Sequence, residues 1–422
     1  MPDPFEHTLP DLGLAASGER PERVDERGTF GLALTLHWTS GAVNHSDCLV
    51  TPRMKLGQDR FPPELEAGLH HQPAGAVTSH RWPDGAPLPG YRGEDVLSIE
   101  DSAFNRHLRR VAVEPRAGRF YPRGFIAGVR GLLREDRTPF RMGSVDDGRL
   151  TIDLNHPMAG RDIEVQARIL DISRARRGGA ACHDVVELAA YNGPGMQARW
   201  RGRPTDFRAD DPFRRADPQP DHDFYRQPRF VQHLDRTALA HIRRLYRDLI
   251  PPGADILDLM SSWVSHLDDV AVPRSVTGLG MNAEELGANP LLTEHLVHDL
   301  NAEPRLPRDD QVFDAVVCTV SVEYLIHPVA VFREVRRVLR PGGRFILTFS
   351  DRWFPPKAIA LWQDLHEFER MGLVLEYFFE AGGFDGLNTW SLRGLPRPDD
   401  DKYADRLTRS DPIFAVWGEK YG

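Results

Sequence analysis

Residues 313 to 343 constrain the fold of this chain more than any other part of the sequence. An apolar run at 315–320 has the length and composition of a buried strand in a parallel sheet. Apolar residues at helical spacing follow between 331 and 339, and Pro-Gly-Gly at 341–343 ends that helix. A second apolar strand begins at Arg344. The pattern therefore predicts a βαβ unit, in which a helix crosses over between two parallel strands.

Apolar segments on both sides extend this unit into a larger sheet. Their order predicts an α/β domain from about residue 230 to residue 422, built on a doubly wound parallel sheet. Sheets of this kind bind ligands at the carboxyl ends of their strands. The predicted elements are a helix capped by Asp235 that runs to about 249, strands at 256–259 and 275–279, a turn at 298–301, and a terminal pair of strands at 373–379 and 412–417.

The unit at 313–343 also carries a family resemblance. Its F-D start, its crossover helix ending in R-V-L-R-P-G-G and its second strand resemble the fourth and fifth strands of class I S-adenosylmethionine-dependent methyltransferases. The segments LDLMSSWVSHL, GLGMNAEELGANP and SDRWFPPKAI resemble a methyltransferase-like subgroup with a variant cofactor loop. The resemblance implies a Rossmann-like fold and S-adenosylmethionine as the cofactor.

The same resemblance implies which residues bind the cofactor. They stand where the family has a glycine-rich turn, an acidic residue for the ribose, an acidic residue for the adenine amine and a residue after the fourth strand. These positions are Asp258, Met260, Ser261, Ser262, Gly280, Met281, Asn282, Asp299, Leu300 and Ser321.

Two of these positions depart from the family pattern. Met260, Ser261 and Ser262 replace the glycines that let the backbone approach the methionine part of the cofactor. Asn282 replaces the acid that accepts the ribose hydroxyls, with Glu284 as a weaker alternative. Methyl transfer depends mainly on placing the nucleophile against the methyl group, so no catalytic side chain is nominated.

The acceptor side is expected to be formed by the segments that follow the fourth and fifth strands. Glu323, Tyr324 and residues 352–354 occupy these places in the sequence. Nothing in them is specific for one class of acceptor. The sequence therefore leaves open whether the acceptor is a polypeptide or a small molecule.

The N-terminal part, from 28 to 174, has the short strands and turns of a β-rich domain. Residues 29–39 can pair across Ser40-Gly41 with a strand from Val43 onward, which predicts a hairpin. The stretch D-L-N-H-P-M-A-G at 153–160, followed by an alternating strand, closely resembles SlyD-type FKBP prolyl isomerases. The resemblance implies an FKBP-like β half-barrel of the α+β class with a flap insert at about 106–141.

The FKBP-like peptide pocket would be altered in this chain. The resemblance puts His45 where the family has an aspartate and Phe104 where it has the flap tyrosine, whose hydroxyl is a hydrogen-bond donor. Phe61 would form the apolar floor. Residues 1–27 are interpreted as a leader, and residues 175–229 as a linker and entry segment to the second domain.

Composition excludes several classes of function. The 422 residues carry 53 basic and 62 acidic side chains, a net charge of −9, which does not favour nucleic-acid binding. The three cysteines form no CxxC pair, and the histidines of the N-terminal part lack metal-ligand spacing, so no metal site is predicted. No signal peptide or membrane-spanning run is evident, and a cytoplasmic location is expected.

The leading hypothesis is a methyltransferase that carries an FKBP-like peptide-binding or prolyl isomerase domain. The alternative is a chaperone-type binding protein, or a peptidyl-prolyl isomerase, in which the Rossmann-like half is a non-catalytic scaffold. The missing cofactor-loop glycines and the missing ribose acid motivate this alternative. The oligomeric state is left open by the sequence.

Overall fold

The computed structural model describes residues 22–26, 28–51, 53–107, 112–174, 182–208 and 211–422. Most of the predicted leader, and parts of the predicted insert and linker, lie outside these residues. The strands of the described part are β1 (Gly28–Ser40), β2 (Val43–Val50), β3 (Val77–Trp82), β4 (Val96–Glu100), β5 (Phe120–Pro122), β6 (Pro139–Asp146), β7 (Arg149–Asp153), β8 (Ile163–Arg174), β9 (Asp255–Leu259), β10 (Ser275–Gly280), β11 (Glu294–Val297), β12 (Phe313–Thr319), β13 (Leu339–Phe349), β14 (Phe384–Arg393) and β15 (Ile413–Lys420).

Eight α-helices accompany these strands in the described residues, together with short 3₁₀ turns. They are α1 (Pro63–Leu69), α2 (Val185–Ala190), α3 (Asp221–Phe224), α4 (Arg236–Leu249), α5 (Ala283–Ala288), α6 (Pro328–Val338), α7 (Ala360–Asp364) and α8 (Glu367–Ala381). Among the residues described, none of the helices combines the length and the apolar character needed to cross a membrane.

The C-terminal part has the predicted Rossmann-like sheet. Strands β11, β10, β9, β12 and β13 are parallel and lie side by side in that order, and β15 and β14 continue the sheet with antiparallel pairing. Helices α6 and α8 contribute Val335 and Phe378 to a core on one face, while α4 contributes Ile242 and Tyr246 to the core on the other. Helices on both faces confirm the doubly wound α/β prediction.

One predicted strand is wrong. Residues 373–379 belong to helix α8, and the strand that pairs with β15 is β14, a few residues further along the chain. Residues 371–378 of α8 are all buried, so this run lacks the alternation of apolar and exposed polar faces that marks an amphipathic helix. A short apolar run of this kind does not distinguish a buried strand from a buried helix. A capping box at His366 fixes the helical start.

The βαβ unit is confirmed with one change at its turn. Helix α6 ends at Val338, and the Pro-Gly-Gly at 341–343 lies inside β13. The pairing of β12 with β13 shifts register between Phe313 and Ala315, opposite this insertion. The predicted turn residues therefore act as an irregularity in the strand.

The N-terminal part contains two groups of strands. The predicted hairpin is confirmed as β1 and β2, and β8 and β3 follow β1 in the same sheet. A second, four-stranded antiparallel sheet has the order β4-β7-β6-β5 and spans residues 96 to 153. The predicted insert at about 106–141 falls within this wider range. The FKBP-like half-barrel and the domain boundaries stay predictions.

The two halves share one sheet. Strand β2 pairs with β14 in parallel through seven residue pairs, from Val43 with Leu387 to Leu49 with Arg393, so the long sheet has eleven strands from β11 to β3. The segment interpreted as a linker is partly packed between the halves, because residues 193–198 are all buried. Its role as a linker stays a prediction, and along this stretch it is packed in place.

Asp47 lies at the centre of the junction between the halves. Its buried carboxylate accepts hydrogen bonds from Trp38 Nε1 at 2.9 Å, Gln197 Nε2 at 3.1 Å and Ser391 Oγ at 2.9 Å. The three donors come from β1, the packed linker and β14. Burial raises the pKa of the carboxyl, while the three hydrogen bonds and the charge of Arg393 oppose this shift.

The four-stranded sheet is attached to the C-terminal half by a buried ion pair. Arg119 Nε donates to Glu369 Oε1 at 2.9 Å, and the backbone N–H of Phe120 donates to the same oxygen at 3.0 Å. Both charged side chains are buried, so neither charge can be removed without leaving the other buried without an opposite charge.

We expect Asp47→Ala to destabilise the protein strongly. Three buried donors would lose their acceptor, which should reduce the free energy of unfolding by at least about 3 kcal/mol. Urea unfolding followed by circular dichroism measures the change. The matched control is Asp385→Ala, which removes an exposed carboxylate from β14 and should change the stability by about 0.5 kcal/mol or less. Equal effects of the two substitutions would contradict the role given to Asp47.

Candidate functional site

A cavity opens at the carboxyl ends of the parallel strands, where the topology predicts a ligand. The ten residues that the methyltransferase resemblance marks for the cofactor all line this cavity. They are Asp258, Met260, Ser261, Ser262, Gly280, Met281, Asn282, Asp299, Leu300 and Ser321. Their roles towards a ligand stay predictions, but the structure brings the whole set together.

The turn after β9 keeps a glycine-like conformation without glycine. Met260 has a φ of 60°, in the left-handed region that side chains other than glycine rarely adopt. The next residue is tied to the neighbouring strand, because the N–H of Ser261 donates to Leu279 O at 2.7 Å. A Cβ at Gly280 would come within 2.1 Å of Ser261 O, so this close approach requires glycine in β10.

Asp258 lies beneath this turn. Its buried carboxylate accepts a hydrogen bond from Ser261 Oγ at 2.5 Å. Burial raises the pKa of Asp258 to about 7, and the hydroxyls of Ser261 and Ser265 limit the rise. Its charge therefore changes near neutral pH.

Ser262 and Asn282 are both bonded within the protein. Ser262 Oγ donates to Glu285 Oε2 at 2.5 Å. Asn282 Oδ1 accepts from the N–H groups of Glu284 and Glu285 and so caps α5, while its Nδ2 donates to the carbonyl oxygens of Tyr225 and Arg226. The amide expected to substitute for the ribose acid is thus fully used, and the carboxylate of Glu285 lies on the same wall.

The pair Asp299 and Leu300 offers an acceptor next to a donor. Asp299 Oδ1 accepts from the N–H groups of Asn301 and Ala302, at 2.9 and 3.2 Å. Its second carboxylate oxygen accepts no hydrogen bond from the described residues, and the N–H of Leu300 donates to none of them. An unused acceptor beside an unused donor is complementary to the edge of an adenine ring.

The wall after β12 and β13 contains Ser321, Tyr324 and Phe354. Tyr324 Oη accepts from the N–H of Phe354 at 2.8 Å, which joins the two segments expected on the acceptor side. Val320, between β12 and Ser321, has a φ of 49°, a second strained backbone position at the cavity. Glu323 is buried outside the cavity lining, and burial raises its pKa to about 8.

The cavity has a roof that the sequence did not reveal. We use this name for helix α3 and the segment after it up to His233; Asp221, Tyr225, Arg229 and His233 of the roof line the cavity. Asn282 Nδ2 donates to the carbonyl oxygens of Tyr225 and Arg226, and Asn301 Nδ2 donates to Asp221 Oδ2 at 2.8 Å. Charge and proline content assigned the roof up to residue 229 to a linker and entry segment, and only the aromatic residues in D-F-Y-R-Q-P-R-F indicate packing.

The three residues predicted for a peptide pocket are buried among their neighbours. His45 is 2% exposed, stacks on Trp38, and bonds through its two ring nitrogens to Ser40 and Thr389. Phe61, 7% exposed, packs in the core around β1 and β8, and Phe104, 3% exposed, packs in the separate core of the four-stranded sheet. The structure does not unite them in one core, and the peptide pocket stays a prediction.

No group of three or more histidine, cysteine, aspartate or glutamate side chains in the described part of the chain could hold a metal ion. Some polar groups at the cavity are paired with hydroxyls, amides and arginines, and others, such as the second oxygen of Asp299, have no partner among the described residues. The arrangement is suited to an organic ligand with several hydrogen-bonding groups.

Known proteins resemble this chain in the region of the cavity. Residues 262 to 347 match the family model described as a methyltransferase domain. The ubiquinone/menaquinone biosynthesis C-methyltransferase UbiE of Bartonella henselae is 34% identical over 121 residues, which make up 28% of this chain and 44% of that protein. UbiE of Chromobacterium violaceum is 28% identical over 102 residues, or 24% of this chain and 41% of the relative.

Among solved structures, an S-adenosylmethionine-dependent methyltransferase from Mesorhizobium loti matches with a TM-score of 0.29 at 17% identity, covering 42% of this chain and 96% of that one. The chain spans about half or less of the length of the curated relatives it matches. The match to the family model lies within the Rossmann-like sheet and includes Ser262, Gly280, Asn282 and Asp299. The C-terminal half of the chain therefore contains a methyltransferase domain, whose cofactor is S-adenosylmethionine.

Proposed function

We propose that this protein transfers a methyl group from S-adenosylmethionine to an acceptor bound in the cavity beneath the roof. The observation that carries the proposal is the convergence of all ten predicted residues on one cavity next to the strands of the methyltransferase domain. The bound cofactor would supply an activated methyl group. Every other part of the reaction depends on how the protein binds and orients its two ligands.

The two ends of the cavity suit the two ends of the cofactor. The second oxygen of Asp299 would accept a hydrogen bond from the adenine amine and the N–H of Leu300 would serve the ring, since neither of them is used by described residues. The turn at 260–262 would face the amino acid end. Glu285 would replace the missing ribose acid, because its carboxylate lies at the cavity and each of its oxygens, which accepts one hydrogen bond inside the protein, can accept a second. Asn282 has no such capacity left, since its amide already makes four hydrogen bonds.

The roof would exclude water from the reacting groups. It is attached to cavity residues at both ends, through Asp221 to Asn301 and through the Arg229 N–H to Glu285 Oε1 at 2.8 Å. Ser321, Tyr324 and Phe354 would then orient the acceptor. Methyl transfer by in-line displacement requires this positioning and does not require a catalytic base of fixed identity.

We propose in addition that the N-terminal half is related to SlyD-type FKBP domains and binds a partner or a polypeptide. The D-L-N-H-P-M-A-G segment supports this relation, and so does a four-stranded sheet placed in sequence between β3 and β8, as a flap insert would be. The burial of His45, Phe61 and Phe104 argues against a role in catalysis. The acceptor of the methyl group would be a polypeptide or a small molecule.

Asp299→Ala should weaken the binding of S-adenosylhomocysteine about tenfold, because a charge-assisted hydrogen bond to the adenine amine would be lost. Isothermal titration calorimetry on the full chain measures the affinity. Asp309→Asn, an exposed position in the loop before β12, is the matched control and should bind normally. Wild-type affinity in Asp299→Ala would remove this residue from the site, and a wild-type protein that does not bind would refute the proposed function.

Binding of S-adenosylmethionine should strengthen with pH. Asp258 is neutral below its pKa of about 7 and ionised above it, and a cationic ligand favours the ionised form. The affinity should therefore rise about tenfold between about pH 6 and about pH 8 and then level off. Asp258→Asn should bind with little dependence on pH in this range. A wild-type slope that persists in Asp258→Asn would assign the titration to another group.

We expect no prolyl isomerase turnover above background. A proline substrate needs an open apolar pocket, and the three side chains predicted for that pocket are covered by their neighbours. A cis/trans assay on a proline peptide, with an active SlyD-type isomerase as the positive control, measures this directly. Turnover that Phe61→Ala abolishes without unfolding the protein would restore the isomerase assignment.

A further inference from the structure

Arg229 is a cavity cation without an acidic partner. Arg229 lines the cavity from the roof, and no carboxylate of the described residues lies within 4 Å of its guanidinium. One nitrogen, Nη2, donates to the Phe224 carbonyl at 2.9 Å. Most of the five N–H groups of the guanidinium are therefore not used by hydrogen bonds inside the protein.

Two other charged side chains of the cavity wall, Asp221 and Glu285, already have partners inside the protein. Asp221 accepts from Arg215 at 2.7 and 2.8 Å and lies 3.3 Å from Lys357 Nζ. Glu285 accepts from the hydroxyl of Ser262 and from the backbone N–H of Arg229. Arg229 differs from these two residues, because no acidic side chain of the described residues neutralises its charge.

Three aromatic rings lie around this guanidinium, and two of them, Tyr225 and Phe354, line the cavity. Its Cζ lies 4.5 Å from the centre of the Phe224 ring, 5.7 Å from Tyr225 and 5.6 Å from Phe354. The Phe354 ring is in turn 6.1 Å from Tyr324 and 4.9 Å from His233. Aromatic walls favour flat ligands, and stacking holds the guanidinium in one orientation.

We propose that Arg229 determines acceptor specificity, and that the acceptor is a planar molecule with an anionic oxygen, such as an aromatic carboxylate. This inference rests on the proposed function, because it identifies the second ligand of the same cavity. A guanidinium presents a rigid fork that matches a carboxylate through two hydrogen bonds. The contact of Arg229 with Phe354 puts this fork on the acceptor side.

The cofactor also carries a carboxylate. The experiment therefore has to distinguish whether Arg229 pairs with the cofactor or with the acceptor. The position of the guanidinium favours the acceptor, because its ring contacts are with Phe224, Tyr225 and Phe354 rather than with the turn at 260–262. Only the backbone of Arg229 reaches towards that turn, through Glu285 and Ser262.

The first measurement is the binding of 4-hydroxybenzoate to the full chain saturated with S-adenosylhomocysteine. Its neutral isostere, 4-hydroxybenzamide, should bind about tenfold more weakly or worse, because it lacks the charge that pairs with Arg229. Arg229→Gln should lower the affinity for the acid to that for the amide. Arg226→Gln is the matched control, since this neighbouring side chain is 70% exposed and pairs with Asp223; it should retain the preference.

Two results would overturn the inference. One is equal binding of the acid and the amide, or no binding of either, in the wild-type protein. The other is a loss of affinity for S-adenosylhomocysteine in Arg229→Gln without a loss for 5′-methylthioadenosine, which lacks the amino acid part; Arg229 would then bind the cofactor's carboxylate.

One further variant and one further measurement distinguish a failure of this inference from loss of folding and from failure of the proposed function. Arg229→Lys retains the charge without the fork and should keep a reduced preference for the acid, which excludes a general loss of folding as the explanation. If S-adenosylhomocysteine does not bind at all, the proposed function fails. The preference of the cofactor-free protein for 4-hydroxybenzoate over its amide still decides the role of Arg229 in that case.

Discussion

The parallel pairing of β2 with β14 is the contact on which the architecture depends. Without it, each half would end in an unpaired strand with free backbone donors and acceptors, and such edges invite aggregation. The pairing needs a precise register, and buried polar groups fix it: Asp47 bonds to Ser391, and His45 bonds to Thr389, each across the two strands. A one-residue slip would turn these polar side chains to the other face of the sheet. The two halves therefore have one common framework.

The cavity depends on a strained turn that this framework supports. In the methyltransferases that this chain resembles, glycine occupies the turn after the first strand. Here Met260, which has a side chain, adopts the left-handed backbone conformation in that turn. Such a conformation persists only when the surroundings over-determine it. The bond from Ser261 to Leu279 and the absence of a side chain at Gly280 provide that constraint. The variant loop thus replaces the flexibility of glycine with fixed contacts to β10.

The sequence predicted those parts of the fold that follow from local pattern. The βαβ unit, the hairpin, the strands predicted at 256–259 and 275–279 and the turn predicted at 298–301 each have a period or a turn that can be read from neighbouring residues. Helix α8 was missed because a uniformly buried run shows no polar face. The β2–β14 pairing and the roof were missed for another reason: their partners are far apart in the chain, and no local pattern encodes a contact such as that between Asp221 and Asn301.

The roof explains why an amide stands at the position where methyltransferases have an acid. Asn282 accepts two N–H groups at the start of α5 with Oδ1 and donates to the carbonyls of Tyr225 and Arg226 with Nδ2. A carboxylate could accept the first pair but would repel the two carbonyl oxygens, since an ionised acid has no hydrogen to donate. In the proposed cofactor site, the exchange would give up an acceptor for the ribose; what the structure shows is the attachment of the roof through Asn282. Glu285, one turn further along α5, keeps a carboxylate at the same wall.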